Sequence, residues 1–117
     1  MVIVDDIIYQ TLSVICTTYQ GFVREFQDLP CISFICTDNS TARKLDGVEY
    51  LTHLVYKVDL FCDDEDDYIL FANKVNDEME GIGFKREQMT YLHEKNTHLV
   101  FYYSGYVDEN YYVYENI

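Results

Sequence analysis

Three histidines (His53, His93, His98), four cysteines (Cys16, Cys31, Cys36, Cys62) and the acidic run Asp63-Asp64-Glu65-Asp66-Asp67 are the side chains best equipped for chemistry. Histidine with cysteine is a zinc donor set, but a structural zinc needs four ligands in a tetrahedron. Cys31 and Cys36 lie five positions apart on one extended stretch, so they point to opposite faces. His93 and His98 flank a predicted turn and face each other across a hairpin, which supplies only two ligands. A cysteine nucleophile needs an exposed, electropositive setting. Each cysteine here sits among apolar or acidic neighbours, which raise a thiol pKa. The acidic run offers hard oxygen ligands. It lacks the alternate spacing and bend glycine of a calcium loop, and it suits the start of a helix, where carboxylates cap free N–H groups. Neither a glycine-rich phosphate loop nor a nucleophile elbow is present. The reading assigns no catalytic, metal or cofactor residue, and the chain is expected not to be an enzyme.

Aromatic side chains point elsewhere. Phe101, Tyr102, Tyr103, Tyr106, Tyr111, Tyr112 and Tyr114 crowd the last stretch of the 117 residues. A small domain has little interior in which to hide them. Apolar patches left on a surface usually mark contacts, and Tyr and Phe are enriched in interface cores. The first inference is assembly.

Composition narrows the partners. A net charge of -13 opposes phosphate contacts, which need clustered Lys and Arg, and opposes an anionic membrane surface. Specific nucleic-acid binding and membrane association are therefore not expected. Met1-Val2-Ile3-Val4-Asp5-Asp6 carries acids where a signal peptide needs bases. That predicts a cytoplasmic protein whose cysteines serve as small core hydrophobes. With no repeat, no low-complexity linker and one proline, residues 1–117 read as a single domain.

Val4, Ile7, Ile8, Leu12 and Ile15 recur at helical spacing and predict a first helix over about residues 3–17. Residues 21–26 read as a short extended piece. Cys31–Thr37 reads as a strand after Pro30, and Asp38–Gly47 as a polar loop ending in the turn pair Asp46-Gly47. Val48–Cys62 is the longest strand. Val48, Tyr50, Thr52, Leu54, Tyr56, Val58, Leu60 and Cys62 form an apolar face, whereas Glu49, Leu51, His53, Val55, Lys57, Asp59 and Phe61 form a mixed one. Tyr68, Phe71, Ala72, Val75 and Met79 mark a second helix, about 64–80, with Gly81 or Gly83 as its left-handed stop. Phe84–Glu94 and His98–Val107 form a hairpin through Lys95-Asn96, and Asn110–Tyr114 a last extended piece. The order predicts an α+β fold. Its antiparallel or mixed sheet has about four to five strands, with two helices packed on one face. The other face and the edges are the candidates for contacts between subunits.

Several segments together resemble one family. They are Leu29-Pro30-Cys31-Ile32-Ser33-Phe34, Asp38-Asn39-Ser40, the stretch Tyr50–Phe61 with Tyr56-Lys57-Val58-Asp59-Leu60, Ala72-Asn73-Lys74-Val75-Asn76-Asp77-Glu78-Met79 and Ile82-Gly83-Phe84-Lys85-Arg86. In order and spacing they are similar to the tail terminator (tail completion) proteins of long-tailed bacteriophages and prophages. The resemblance covers about residues 22–105. It implies a small α+β virion protein, present in the host cytoplasm during assembly, that forms a homo-oligomeric ring, typically a hexamer. The ring caps the tail tube and joins it to the head connector, so its implied partners are the tail-tube and head-connector proteins. It implies no catalysis. The acids after Cys62 and the tyrosines of Tyr106–Ile117 depart from the pattern. An acidic lumen would let DNA slide through, because it repels phosphates.

The interface candidates are Asp38, Asn39, Arg43 and Lys44 of the polar loop and Tyr102, Tyr103, Tyr106, Tyr111, Tyr112 and Tyr114. The alternative function is a small acidic DNA mimic that inhibits a host nuclease or restriction enzyme, for which the charge is the support.

Overall fold

One strand, paired along both of its sides, organises the chain. The computed structural model describes residues 2–21, 29–63, 66–93 and 96–114. In chain order these form α1 (Val2–Ser13), β1 (Thr17–Gln20), β2 (Cys31–Leu45), β3 (Val48–Cys62), α2 (Tyr68–Gly81), β4 (Lys85–His93), β5 (Thr97–Asp108) and β6 (Val113–Tyr114). The fold is α+β, with a six-stranded mixed sheet ordered β1-β2-β3-β5-β4 and β6 pairing with β5. All ladders are antiparallel except β1 with β2. The chain is elongated, with extents of 54 × 23 × 23 Å.

β3 follows the alternation read from its sequence. Leu54, Tyr56, Val58, Leu60 and Cys62 are fully buried on one face. Across the β3–β5 ladder they stand opposite Gly105, Tyr103, Phe101, Leu99 and Thr97. Both helices pack on this face. Val4, Ile8 and Leu12 of α1 recur every four residues, one stripe of a helix, and Ala72, Val75 and Met79 of α2 join them in one core with Ile32, Phe34 and Phe84. Each fully buried large side chain of this kind contributes about 1.5–3 kcal/mol. Three polar contacts fix the helices laterally. Tyr56 Oη donates to Asp5 Oδ1 at 2.5 Å while Gln20 Nε2 donates to Asp5 Oδ2 at 3.0 Å, tying α1 to β3 and β1. Tyr103 Oη donates to Asn76 Oδ1 of α2 at 3.3 Å.

Several boundaries differ from expectation. The polar segment Asp38–Lys44 is the second half of β2 and not a loop. It extends the β2–β3 hairpin, with register shifts at Cys36/Asp38, Thr41/Arg43 and Arg43/Lys44. The turn pair Asp46-Gly47 closes the hairpin with φ of 53° and 80°. Positive φ at both central residues suits the twist of the flanking strands. α1 stops at Ser13, because Thr17–Gln20 is claimed by a parallel ladder with Cys31–Phe34. α2 begins at Tyr68 rather than near residue 64. The acids before it are spent outside the helix: Asp67 caps Leu70 N at 3.1 Å, and Asp66 accepts from Asp63 N at 2.7 Å. Gly83, at φ 101°, supplies the left-handed stop. Of the last extended piece only Val113–Tyr114 is strand, preceded by Tyr111 at φ 66°. The extended piece proposed at 21–26 lies, except for Gly21, outside the described residues.

Glycine makes room for β6. A Cβ on Gly105 would lie 2.9 Å from both Phe84 Cδ1 and Val113 Cγ1, so the last strand docks only because that atom is missing. Gly105→Ala is therefore expected to lower stability by about 1–3 kcal/mol, the usual cost of overpacking. Denaturant titration measures it, and an unchanged midpoint would refute the account of how β6 is held.

Candidate functional site

Neither helix packs on the second face of the sheet, which is built from the alternate positions of the same strands. Along β3 and β5 it runs Phe61/His98, Asp59/Val100, Lys57/Tyr102, Val55/Ser104, His53/Tyr106 and Leu51/Asp108. β2 adds Ser33 opposite Asp59, Ile35 opposite Lys57 and Ser40 opposite His53. Leu51, Val55, Phe61, Tyr102 and Tyr106 are half-buried, and Ile35 is 46% exposed. A side chain lying flat on a sheet among its neighbours reaches partial burial without a covering layer. The face thus interleaves apolar and aromatic groups with polar ones.

Polar groups on it are paired with one another. Asp59 is buried, at 8% exposure, and its Oδ1 accepts from His98 Nε2 at 2.8 Å. Its other oxygen lies 3.8 Å from Lys57 Nζ. Because a carboxylate only accepts, His98 carries a proton on Nε2. The His98 ring stacks on Phe61 with centroids 4.2 Å apart. Further along, His53 Nδ1 meets Asp38 Oδ2 at 3.2 Å, and its ring lies 5.0 Å from that of Tyr106. Ser104 Oγ donates to Glu87 Oε1 at 2.6 Å.

Pairing of this kind readies a face for burial, since a buried charge is tolerated only when paired and hydrogen-bonded. A His–Asp pair is also the orienting half of a catalytic triad. Among the described residues, no hydroxyl or thiol hydrogen-bonds the other nitrogen of His98, so the nucleophile of such a device is not assembled there.

The sequence-derived candidates separate into four places. Asp38, Tyr102 and Tyr106 belong to the open face. Asn39, Arg43 and Lys44 are exposed on the outer part of the β2–β3 hairpin. Tyr111, Tyr112 and Tyr114 are exposed around β6, organised by Asp108, which accepts from Asn110 N, Tyr112 N and Tyr114 Oη. Tyr103 is a correction. It is fully buried, because its odd position on β5 faces the helices.

Val55, Lys57, Asp59, Phe61 and His98 were absent from the candidates, although the mixed alternation of β3 already carried the first four. His93 and His98 do not oppose each other: the register sets His93 against Thr97 and Leu92 against His98. No three His, Cys, Asp or Glu side chains gather to hold a metal among the described residues. Nor is any described helix long and apolar enough to cross a membrane. All four cysteines are free thiols. Burial first, and then nearby anions, push Cys16 up to about 11 and Cys62 up to about 12.

No protein-family profile matches the chain, and no curated protein sequence does.

Two measurements probe these groups. Replacing His98 by Leu leaves Asp59 buried without its closest partner, and an unpaired buried acceptor costs about 1–3 kcal/mol. The double variant His98→Leu, Asp59→Leu should cost less than the sum of the singles, and strict additivity would show that the pair is not coupled. For the thiols, a folded pKa above the unfolded one means the native state holds protons that the unfolded state releases. Stability is then full below about pH 9 and falls as pH rises toward the folded values, by about 1.4 kcal/mol per unit for each such group. Cys62→Ala should flatten that alkaline slope; an identical slope would assign it to other groups.

Proposed function

We propose that this chain is a structural subunit that assembles into a ring, as the tail terminator proteins of long-tailed bacteriophages do. The observation that carries the reading is a six-stranded sheet covered by helices on one face only. The uncovered face presents Ile35, Val55, Phe61, Tyr102 and Tyr106 around internally paired polar groups. A patch of this composition resembles the core of an interface, where aromatics are enriched and free charges depleted. The ring, a hexamer by analogy, would sit between a tail-tube protein and a head-connector protein within the virion. Net charge of -13 is compatible with an inner wall along which DNA slides without being held. The resemblance in segment order from Leu29 to Arg86 supports the same reading.

An acidic DNA mimic has the overall charge in its support and little more. Such a protein needs carboxylates lined up to imitate phosphates, and on the open face Asp38 and Asp59 are already matched by His53, His98 and Lys57.

Negative-stain microscopy and native mass measurement of the protein, alone and mixed with tail tubes, test the proposal. Closed rings of one size, or rings capping tube ends, are the expected result. Val55→Glu combined with Tyr102→Glu puts unpaired charge on the open face and should prevent assembly while leaving the melting temperature within a few degrees of about its original value. A monodisperse monomer that ignores tubes and binds a basic DNA-handling enzyme would replace the ring with the mimic.

A further inference from the structure

The open face carries two histidine–aspartate pairs that are built alike and balanced differently. In each, a half-buried imidazole meets a carboxylate and lies against an aromatic ring: His98 with Asp59 and Phe61, His53 with Asp38 and Tyr106. Asp59 has a second cation, because Lys57 Nζ lies 3.8 Å from its other oxygen. Asp38 has no such second partner. Among the described residues, His53 is the one basic group within ion-pair distance of it, and Ser40 Oγ donates to the same oxygen at 3.3 Å. With both imidazoles neutral, the Asp59 site is balanced and the Asp38 site keeps one negative charge.

The surroundings of His53 do not supply the missing cation. On β2, Ser40 stands opposite His53, and Arg43 stands opposite Leu51, two residues along β3. On β5, Tyr106 stands opposite His53 and Asp108 opposite Leu51. Val55, on the other side of His53, faces Asp38 on β2 and Ser104 on β5. Ser104 in turn stands against Lys85 of β4 and donates to Glu87. Tyr114 of β6 lies beyond Tyr106 and donates to Asp108; phenols are neutral in the neutral pH range. Around this end of the face the carboxylates Asp38, Asp108 and Glu87 are met by the cations Arg43 and Lys85. A proton on His53 evens that balance.

We propose that association through the open face is linked to protons, and that His53 takes up the proton. While the face is wet, solvent screens Asp38, and a neutral His53 is enough to hydrogen-bond it. Under a second copy of the chain that screening is lost. A carboxylate leaving water is tolerated when it is paired, and a buried charge without its counter-charge is strongly unfavourable. The pair is therefore buried as imidazolium and carboxylate: Nδ1–H donates to Asp38 Oδ2, and Nε2 also carries hydrogen, taken from solvent. Histidine is the side chain whose charge ordinarily changes between pH 5 and 8. By linkage, a contact that takes up one proton tightens by up to about tenfold for each unit of falling pH. His98 takes up none, since Lys57 already balances Asp59 and a further charge there has no counter-charge. The inference rests on the ring reading and adds what regulates it: acidification closes the contact, and alkaline conditions loosen it.

Sedimentation velocity on the intact chain between about pH 8 and pH 6, at constant ionic strength, reads the linkage, because ordinary carboxylates stay ionised over that range. The dissociation constant of the parent is expected to fall by about tenfold or more across it. His53→Gln keeps a donor for Asp38 but takes no charge, so it should remove the dependence, whereas His98→Gln should retain it. Asp38→Asn, at a half-exposed position, should associate at the upper pH as tightly as the parent does at the lower, to within a few-fold. A His53→Gln variant that keeps the parent's slope, or a His98→Gln variant that loses it, overturns the assignment to His53. Self-association of the parent that is equal at both ends of the range overturns the proton linkage and leaves the ring reading standing. If the parent neither self-associates nor caps tail tubes at any of these pH values, both fall.

Discussion

Central placement of β3 is the constraint from which the architecture follows. Fifteen residues of strand are hydrogen-bonded on both sides, to β2 and β5, so every second side chain is committed to one face. On the first face those side chains are Leu54, Tyr56, Val58, Leu60 and Cys62, which water cannot be allowed to reach. The described residues form two helices, and both are consumed in covering them. Nothing of comparable size is left among the described residues for the second face. One-sided cover is therefore a consequence of counting elements against apolar surface.

The open face answers the resulting exposure by mixing character. Here Phe61, Tyr102, Tyr106 and Ile35 alternate with polar groups that pair with one another, Asp59 with His98 and Lys57, Asp38 with His53. Paired in this way, the carboxylates lose less on leaving water than isolated ones would. At the sheet ends, apolar groups flank strand backbone that no described residue pairs. The two faces of the sheet are thus unlike in character, while burial raises the Cys16 and Cys62 thiols and keeps them chemically quiet.

How much of this was legible depended on where each residue lay relative to the core. β3 showed its span and both faces in the sequence because a strand flanked on two sides displays an uninterrupted period of two. α2 was legible by its apolar spacing, and only its first turn was misplaced, since acids that cap a helix look locally like acids that belong to it. β2 was half hidden. Beyond Cys36 it runs past the helical layer, so Asp38–Lys44 has no apolar face to reveal it; the segment is a strand because β3 pairs with it. β1 was concealed for a related reason: four residues with one long-range ladder carry no periodicity of their own. Among the sites, Asp38, Tyr102 and Tyr106 fell on the open face, whereas Tyr103 went to the core. The tyrosine cluster on β5 could not be sorted by residue type, only by odd and even position.

By itself the sequence determined the α+β class, the long strand with its two unlike faces and the Asp46-Gly47 turn. These rest on local periodicity and on turn chemistry, which neighbours in the chain are enough to specify. Tertiary structure decided which face the helices cover, that Asp59 and His98, thirty-nine residues apart, would meet as a pair, and that β1 and β4 would be the margins of the sheet. Those outcomes turn on contacts between distant segments competing for the same apolar surface, and no local window of residues contains that competition.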